Sequence, residues 1–171
     1  MSNTADLIER LTAIDKEHLR GQIPISFDVI SLYTNINTEE ATTTTLEYVR
    51  KHNINLHGLQ THDLFELLDL VLNNNVFQFQ TNYYKQIRGL AMGNRISGTL
   101  AIVYMDKYEQ THVYRKYQPI LYGRCVDDIG TTAKSMKDAT DMLADLNSKH
   151  PTIRFELETP DETNFLPILD I

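Results

Sequence analysis

The chain has 171 residues, 42% of them hydrophobic and 23% charged, which suffices for one domain with a packed core. No apolar run approaches the ~20 residues that cross a bilayer, and residues 2–10 are polar and mixed in charge, unlike a signal peptide. A net charge of −7 argues against a basic nucleic-acid module acting alone, and a single cysteine, Cys125, excludes an internal disulfide framework and suits a reducing intracellular compartment.

Residues 4–19 set Leu7, Ile8, Leu11 and Ile14 on one helical face, and Gly21 and Pro24 stop that helix. Residues 23–30 read as an apolar strand interrupted by Asp28. An acid in that place either caps the strand end or needs a compensating partner. Asn37 with Glu40 makes a capping-box-like start for a helix to about Lys51, although Thr42, Thr43, Thr44 and Thr45 are poor helix formers. A polar link over 53–60 leads to a second helix with Leu64, Phe65, Leu67, Leu68, Val71 and Leu72 as its apolar face. Residues 76–79 and 83–87 read as a hairpin around Thr81-Asn82. His52, His57 and His62 lack the three- or four-residue spacing of helical metal ligands and read as surface residues.

Residues 88–97 run Arg-Gly-Leu-Ala-Met-Gly-Asn-Arg-Ile-Ser. Glycine lets backbone approach a ligand closely, and Lys85, Arg88 and Arg95 suit a phosphate or a nucleic-acid strand. The spacing is not that of a phosphate-binding P-loop. Ser97 is expected to cap a long helix over 98–117, with Leu100, Ala101, Val103, Tyr104 and Tyr108 inward and Pro119 beyond its end. Strands over 121–126 and 129–133 are expected to meet at a tip formed by Asp127-Asp128. Two readings fit that tip: a solvated turn, or a buried pair of acids compensated by a divalent cation with oxygen ligands. Ser135 with Asp138 starts a helix over 136–148. Residues 153–158 alternate as a half-exposed strand, and 165–171 read as a last apolar strand holding Asp170.

The interleaved strands and helices predict an α+β, two-layer chain with an antiparallel sheet and helices on one face. In such a sheet Asp28 and the Asp127-Asp128 hairpin can meet across a long sequence separation. Three converging carboxylates would hold two metal ions ~3.5–4 Å apart, the arrangement used for in-line phosphoryl transfer.

The ordered motifs resemble the palm of reverse transcriptases, most closely the Penelope-like retroelement group. Ser26-Phe27-Asp28-Val29-Ile30-Ser31-Leu32-Tyr33-Thr34-Asn35-Ile36 resembles the first catalytic motif, and Gly89-Leu90-Ala91-Met92-Gly93-Asn94-Arg95 through Ala101, with Tyr104-Met105-Asp106, the second. Cys125-Val126-Asp127-Asp128 resembles the aromatic-x-Asp-Asp motif. Leu146 to Pro151 with Ile153-Arg154-Phe155 resembles the fourth, and Leu166-Pro167-Ile168-Leu169-Asp170 the segment leading to the primer-contacting region. The resemblance implies a polymerase palm over 23–171, with a small helical and hairpin fingers-like part within 37–90 and a fingers-side helix over 1–22. It implies RNA-directed DNA polymerase activity, adding a dNTP to a primer 3′-hydroxyl on an RNA or DNA template. Asp28 and Asp127, with the Val29 carbonyl, would be the main ligands of two Mg2+ ions, for which Mn2+ can substitute, and Asp128 would be a supporting acid. Tyr33 would stack under the incoming sugar, Met92 and Gly93 would lie against the base pair, Arg88, Arg95 and Cys125 would line the primer-template path, and Lys149 would sit near the leaving phosphate.

Departures accompany the resemblance. Cys125 replaces the usual aromatic residue, and Ser97-Gly98 lacks the usual proline, glycine being the weaker first helical residue. Few residues precede Asp28 and none follow Ile171, so fingers and thumb segments are expected elsewhere on a longer polyprotein. An isolated palm can be acidic because those parts carry much of the basic surface. The rival expectation is a truncated, inactive remnant acting at most as a binding module; a different two-metal palm enzyme, such as a nucleotide cyclase, is the third. The expected setting is intracellular without a membrane, and nuclear for an active retroelement.

Overall fold

A computed structural model describes residues 9, 12–163 and 166. The last strand expected over 165–171, most of the motif from Leu166 to Asp170, and much of the first helix lie outside the described residues. The elements, in chain order, are α1 (Lys16–Leu19), β1 (Ile23–Val29), α2 (Leu32–Asn35), α3 (Thr38–Lys51), α4 (Thr61–Leu72), β2 (Val76–Phe79), β3 (Asn82–Lys85), α5 (Ser97–His112), β4 (Tyr122–Cys125), β5 (Asp128–Ala133), α6 (Met136–Lys149) and β6 (Phe155–Glu158). The chain divides into two compact units, one of Met1–Ile30 with Gln110–Ile171 and one of Ser31–Glu109. The span 37–90 lies within the second.

In the first unit four strands form an antiparallel sheet in the order β4-β5-β1-β6. Side chains alternate across a strand, so Ile25, Phe27 and Val29 share one face, and all three are buried. The register sets Phe27 opposite Ile129, and Val29 opposite Phe155, extending that apolar row across three strands. Helix α6, with Ala139, Met142 and Leu146 buried, packs on β5 and β6. Its start is the one expected: the Ser135 hydroxyl accepts from the Asp138 amide at 3.1 Å. Near its end, the Asn147 side chain donates to the Phe155 carbonyl and accepts from its amide, at 3.0 and 2.8 Å. An edge strand would otherwise leave those groups to solvent.

In the second unit Asn37 caps α3 by accepting from the amides of Glu39 and Glu40. The threonine run is accommodated rather than broken: Thr42 and Thr44 are buried, and the Thr45 hydroxyl returns to the Ala41 carbonyl at 2.8 Å. Helix α5 starts one residue earlier and ends five earlier than expected. Ser97 is its first residue, and its buried hydroxyl has no partner, so it does not act as a cap. After His112 the chain turns over Val113, whose carbonyl accepts from Lys116 and Tyr117. Of the apolar face expected for α4, only Leu68 and Leu72 are buried; Phe65, Leu67 and Val71 are exposed. His52, His57 and His62 are exposed, as read from their spacing. No described helix is long and apolar enough to cross a membrane.

Candidate active site

The aspartate hairpin turns one residue earlier than its charges suggest. Cys125 and Asp128 form the last β4–β5 pair, so the two-residue connection is Val126-Asp127. Asp127 is at the tip, whereas Asp128 belongs to β5. A two-residue hairpin of this hand wants positive φ at its first turn position, normally a glycine. Here that place holds Val126 at φ +59°, a strained setting for a β-branched residue and a cost of about 1–3 kcal/mol. Two hydrogen bonds oppose the strain: the Arg124 guanidinium donates to the Val126 carbonyl at 2.9 Å, and the Val29 amide donates to the Asp127 carbonyl at 3.2 Å.

The second bond fixes the tip against the strand carrying Asp28. In the sheet register Asp28 stands opposite Asp128 on one side and Glu156 on the other, and directly opposed residues share a face. The face turned from the apolar row thus carries acids on three adjacent strands. The Asp28 carboxyl is raised above its ordinary range by burial first, then by Asp127 and Glu156, with the Val29 amide acting in the opposite direction. Among the described residues, no cationic side chain contributes to that shift. Glu156 is the member sequence reading overlooked. The alternation around it was legible, but its pairing with Asp28 was not.

An incompletely balanced pair of carboxylates, Asp28 and Asp127, has the oxygen donor chemistry that suits Mg2+ or Mn2+. The expected convergence of three carboxylates is not preformed: among the described residues, no group of three or more His, Cys, Asp or Glu side chains is arranged to hold a metal ion. The physical reason is the register, which assigns Asp127 to the turn and Asp128 to the strand. Cys125 is half-buried with a free thiol just before the turn.

Lys149 lies in the same unit but is already engaged. Its ammonium meets Asp145 Oδ1 at 2.8 Å, one helical turn back, while Lys116 meets the same oxygen at 2.9 Å and the Tyr117 hydroxyl donates to Oδ2 at 2.8 Å. Lys149 first, with Lys116 and Tyr117, holds the Asp145 carboxyl far below the ordinary carboxylate range. Burial, then the charge of Lys149, lowers the nearby His112.

The remaining candidates belong to the second unit. Tyr33, in α2, is half-buried, and a Cβ added to Gly98 would lie 3.7 Å from its hydroxyl. The Leu90 amide donates to the Tyr33 carbonyl at 2.7 Å. Gly89 makes that approach feasible: at φ +76°, a Cβ there would lie 2.6 Å from Thr34 Cα and 2.7 Å from the Tyr33 carbonyl oxygen. This glycine serves close packing of two backbones, a role its sequence context did not distinguish from ligand approach. Gly93 differs, since a Cβ there would meet nothing within 4 Å. Gly93, Met92 and Arg95 are exposed, and the Arg88 guanidinium donates to Asn35 Oδ1 at 3.4 Å.

No protein family and no curated protein matches the chain's sequence. Solved structures do match its fold. Apo telomerase from Candida tropicalis, truncated of its C-terminal domain, aligns with a TM-score of 0.69 at 15% identity, covering 99% of this chain and 38% of that one. Telomerase from Candida albicans, in complex with a TWJ fragment of telomeric RNA, aligns with a TM-score of 0.71 at 13% identity, covering 96% of this chain and 32% of that one. These likenesses and the antiparallel sheet with its helices define an α+β, palm-like fold shared with part of those telomerase chains. The chain spans about a third of the length of the telomerases it matches.

Proposed function

We propose that this chain is the palm of an RNA-directed DNA polymerase of the Penelope-like retroelement type, acting with fingers and thumb segments of a longer polyprotein. The observation that carries the reading is the fixing of the Asp127 turn against the Asp28 strand by the Val29 amide at 3.2 Å, in a fold shared with telomerases, which are reverse transcriptases. Asp28 and Asp127, with the Val29 carbonyl, would hold two Mg2+ ions, and Asp128 would support them. Such ions lower the pKa of a primer 3′-hydroxyl and neutralise the leaving pyrophosphate.

The chain's own residues supply orientation. Strained Val126, the Arg124 bond to its carbonyl and the Val29 bond to the Asp127 carbonyl hold the tip that carries the Asp127 carboxylate, so little reorganisation is needed at reaction. Tyr33 is assigned to the incoming sugar, Met92 and Gly93 to the base pair, and Arg88 and Arg95 to the template strand. Lys149 would reach a leaving phosphate only after exchanging Asp145 for it. The second reading is a folded remnant that binds nucleic acid without extending a primer, favoured by the engagement of Lys149 with Asp145.

Primer extension on RNA and DNA templates, with Mg2+ or Mn2+, tests the proposal. Extension by this chain, alone or joined to flanking sequence, and its loss in Asp127→Ala are expected. Extension that persists in Asp127→Ala would overturn the assignment, and no extension with flanking sequence restored would favour the remnant.

A further inference from the structure

The β2–β3 hairpin belongs to none of the motifs above, yet it is the most exposed ordered feature of the second unit. All eight of its strand residues are exposed. Phe77, Phe79, Tyr83 and Tyr84 keep 52, 61, 74 and 45% of their surface open to solvent. A lone two-stranded hairpin is marginal in water, and open aromatic rings on both of its faces add further apolar exposure. Register sets Phe77 opposite Tyr84 and Phe79 opposite Asn82, so Phe77, Tyr84 and Phe79 share one face. The Phe77 and Tyr84 rings are stacked, their centroids 5.6 Å apart and their planes 21° apart. Phe77 also lines an open groove of about 450 Å3 with Val76, Gln86, Met92 and Gly93.

Charge separates this surface from the exposed part of the neighbouring helix. Helix α4 offers aliphatic residues interspersed with Asp63, Glu66 and Asp69. From Leu70 to Met105, in contrast, the chain has Lys85, Arg88 and Arg95 and no acid at all, within a molecule of net charge −7. Lys85 stands on the hairpin and is exposed, opposite Val76 and so on the face turned from Phe77 and Phe79. Flat aromatic planes with a local positive charge and no acid match a polyanion whose repeating unit has a π-face.

We propose that the Phe77–Tyr84–Phe79 face of this hairpin is a stacking platform for an extended single strand of RNA or DNA. Bases stack on the paired rings and on Phe79, the groove beside Met92 and Gly93 takes the next base, and Lys85 meets the backbone where it rounds to the hairpin's other face. Recognition of this kind tolerates any sequence, because every base stacks. The proposal extends the nucleic-acid partner of the polymerase reading to a hairpin outside the acids, adjoining the 88–97 loop at Met92 and Gly93. It rests on the hairpin and not on catalysis.

The test is fluorescence anisotropy of the full chain with labelled oligo-U and oligo-dT, without divalent metal, primer or dNTP, so a failed polymerase assay leaves its outcome unaffected. Phe79→Ala with Tyr84→Ala is expected to weaken binding about tenfold or more, while Phe79→Tyr retains it and Lys85→Gln reduces the salt slope by about one. Leu70→Ala on α4 is expected to bind as the parent chain does. Where circular dichroism shows the double variant unfolded, the Phe79→Tyr and Lys85→Gln results decide. Oligonucleotide binding unchanged by the hairpin variants, or a concentration-dependent dimer by light scattering that those variants dissolve without altering binding, would overturn the proposal. Tighter binding of oligo-U or of oligo-dT identifies which strand the platform prefers and supports it either way.

Discussion

Val29 and Asp127 are joined backbone to backbone, the amide of one donating to the carbonyl of the other at 3.2 Å. That bond closes the end of the β1–β5 ladder and sets Asp127 where its charge opposes ionisation of Asp28. The repulsion has a consequence for stability. Asp28's folded pKa is raised by burial, Asp127 and Glu156. The folded state therefore keeps a proton that the unfolded chain releases, and stability falls as pH rises through that range. Asp28→Asn is expected to raise Tm at pH 7 by about 2 °C and to flatten its decline between acid and neutral pH. Thermal melts across that range check this, and a lower Tm at neutral pH would count against it.

Val126 supplies a second expectation. Its positive φ costs about 1–3 kcal/mol, whereas glycine's extra chain entropy costs about 0.5–1 kcal/mol. Strain outweighs entropy, so Val126→Gly is expected to raise Tm by about 2 °C or more. A fall in Tm would show that the turn is not held under strain.

The two motif glycines should separate cleanly. Gly89→Ala puts a Cβ against rigid backbone at 2.6–2.7 Å at a φ of +76°, and a left-handed non-glycine residue costs about 1–2 kcal/mol before any clash. A Tm loss of about 5 °C or more is expected. Gly93→Ala meets open space and is expected to leave Tm unchanged. Equal effects of the two in parallel melts would contradict this division of roles.

Asp145 gives a pH signature of opposite sign. Its folded pKa is lowered, chiefly by Lys149, so its stabilisation is present above the ordinary aspartate range and is lost as pH falls toward the folded value. Asp145→Asn is expected to lower Tm at neutral pH and to show a smaller acid-side decline than the parent chain. Lys116 is half-exposed, so added salt is expected to reduce the difference. An acid-side profile identical to the parent's would remove Asp145 from the account.

Much of the fold was legible because its signals are local. Asn37 before Glu39-Glu40 and Ser135 before Asp138 mark their helices by cap chemistry, an apolar run marks β1, and alternation marks β6. The two hairpin turns were each misplaced by one residue for a shared reason. Turn residues were sought at Thr81-Asn82 and at Asp127-Asp128, yet the left-handed positions are Gln80 and Val126, types that do not advertise a turn. Cross-strand register overrode local preference in both. The acid row was half legible: Asp28, Asp127 and Asp128 announce themselves as charges in apolar strands. Glu156 reads as an ordinary outward residue until β6 is placed beside β1. The partnership of Lys149 with Asp145 was readable as an i, i+4 pair, while the additions of Lys116 and Tyr117 are tertiary.

Under the proposed function, Asp28 and Asp127 form one metal site. Its most direct measurement is electron paramagnetic resonance titration of Mn2+ into the chain with primer-template and a chain-terminating dNTP. The account predicts tight ions in the parent chain, weakened about tenfold or more by Asp28→Asn or Asp127→Asn, with the double variant no worse than either alone because the pair acts as a unit. Mn2+ binding that survives both substitutions unchanged would contradict it.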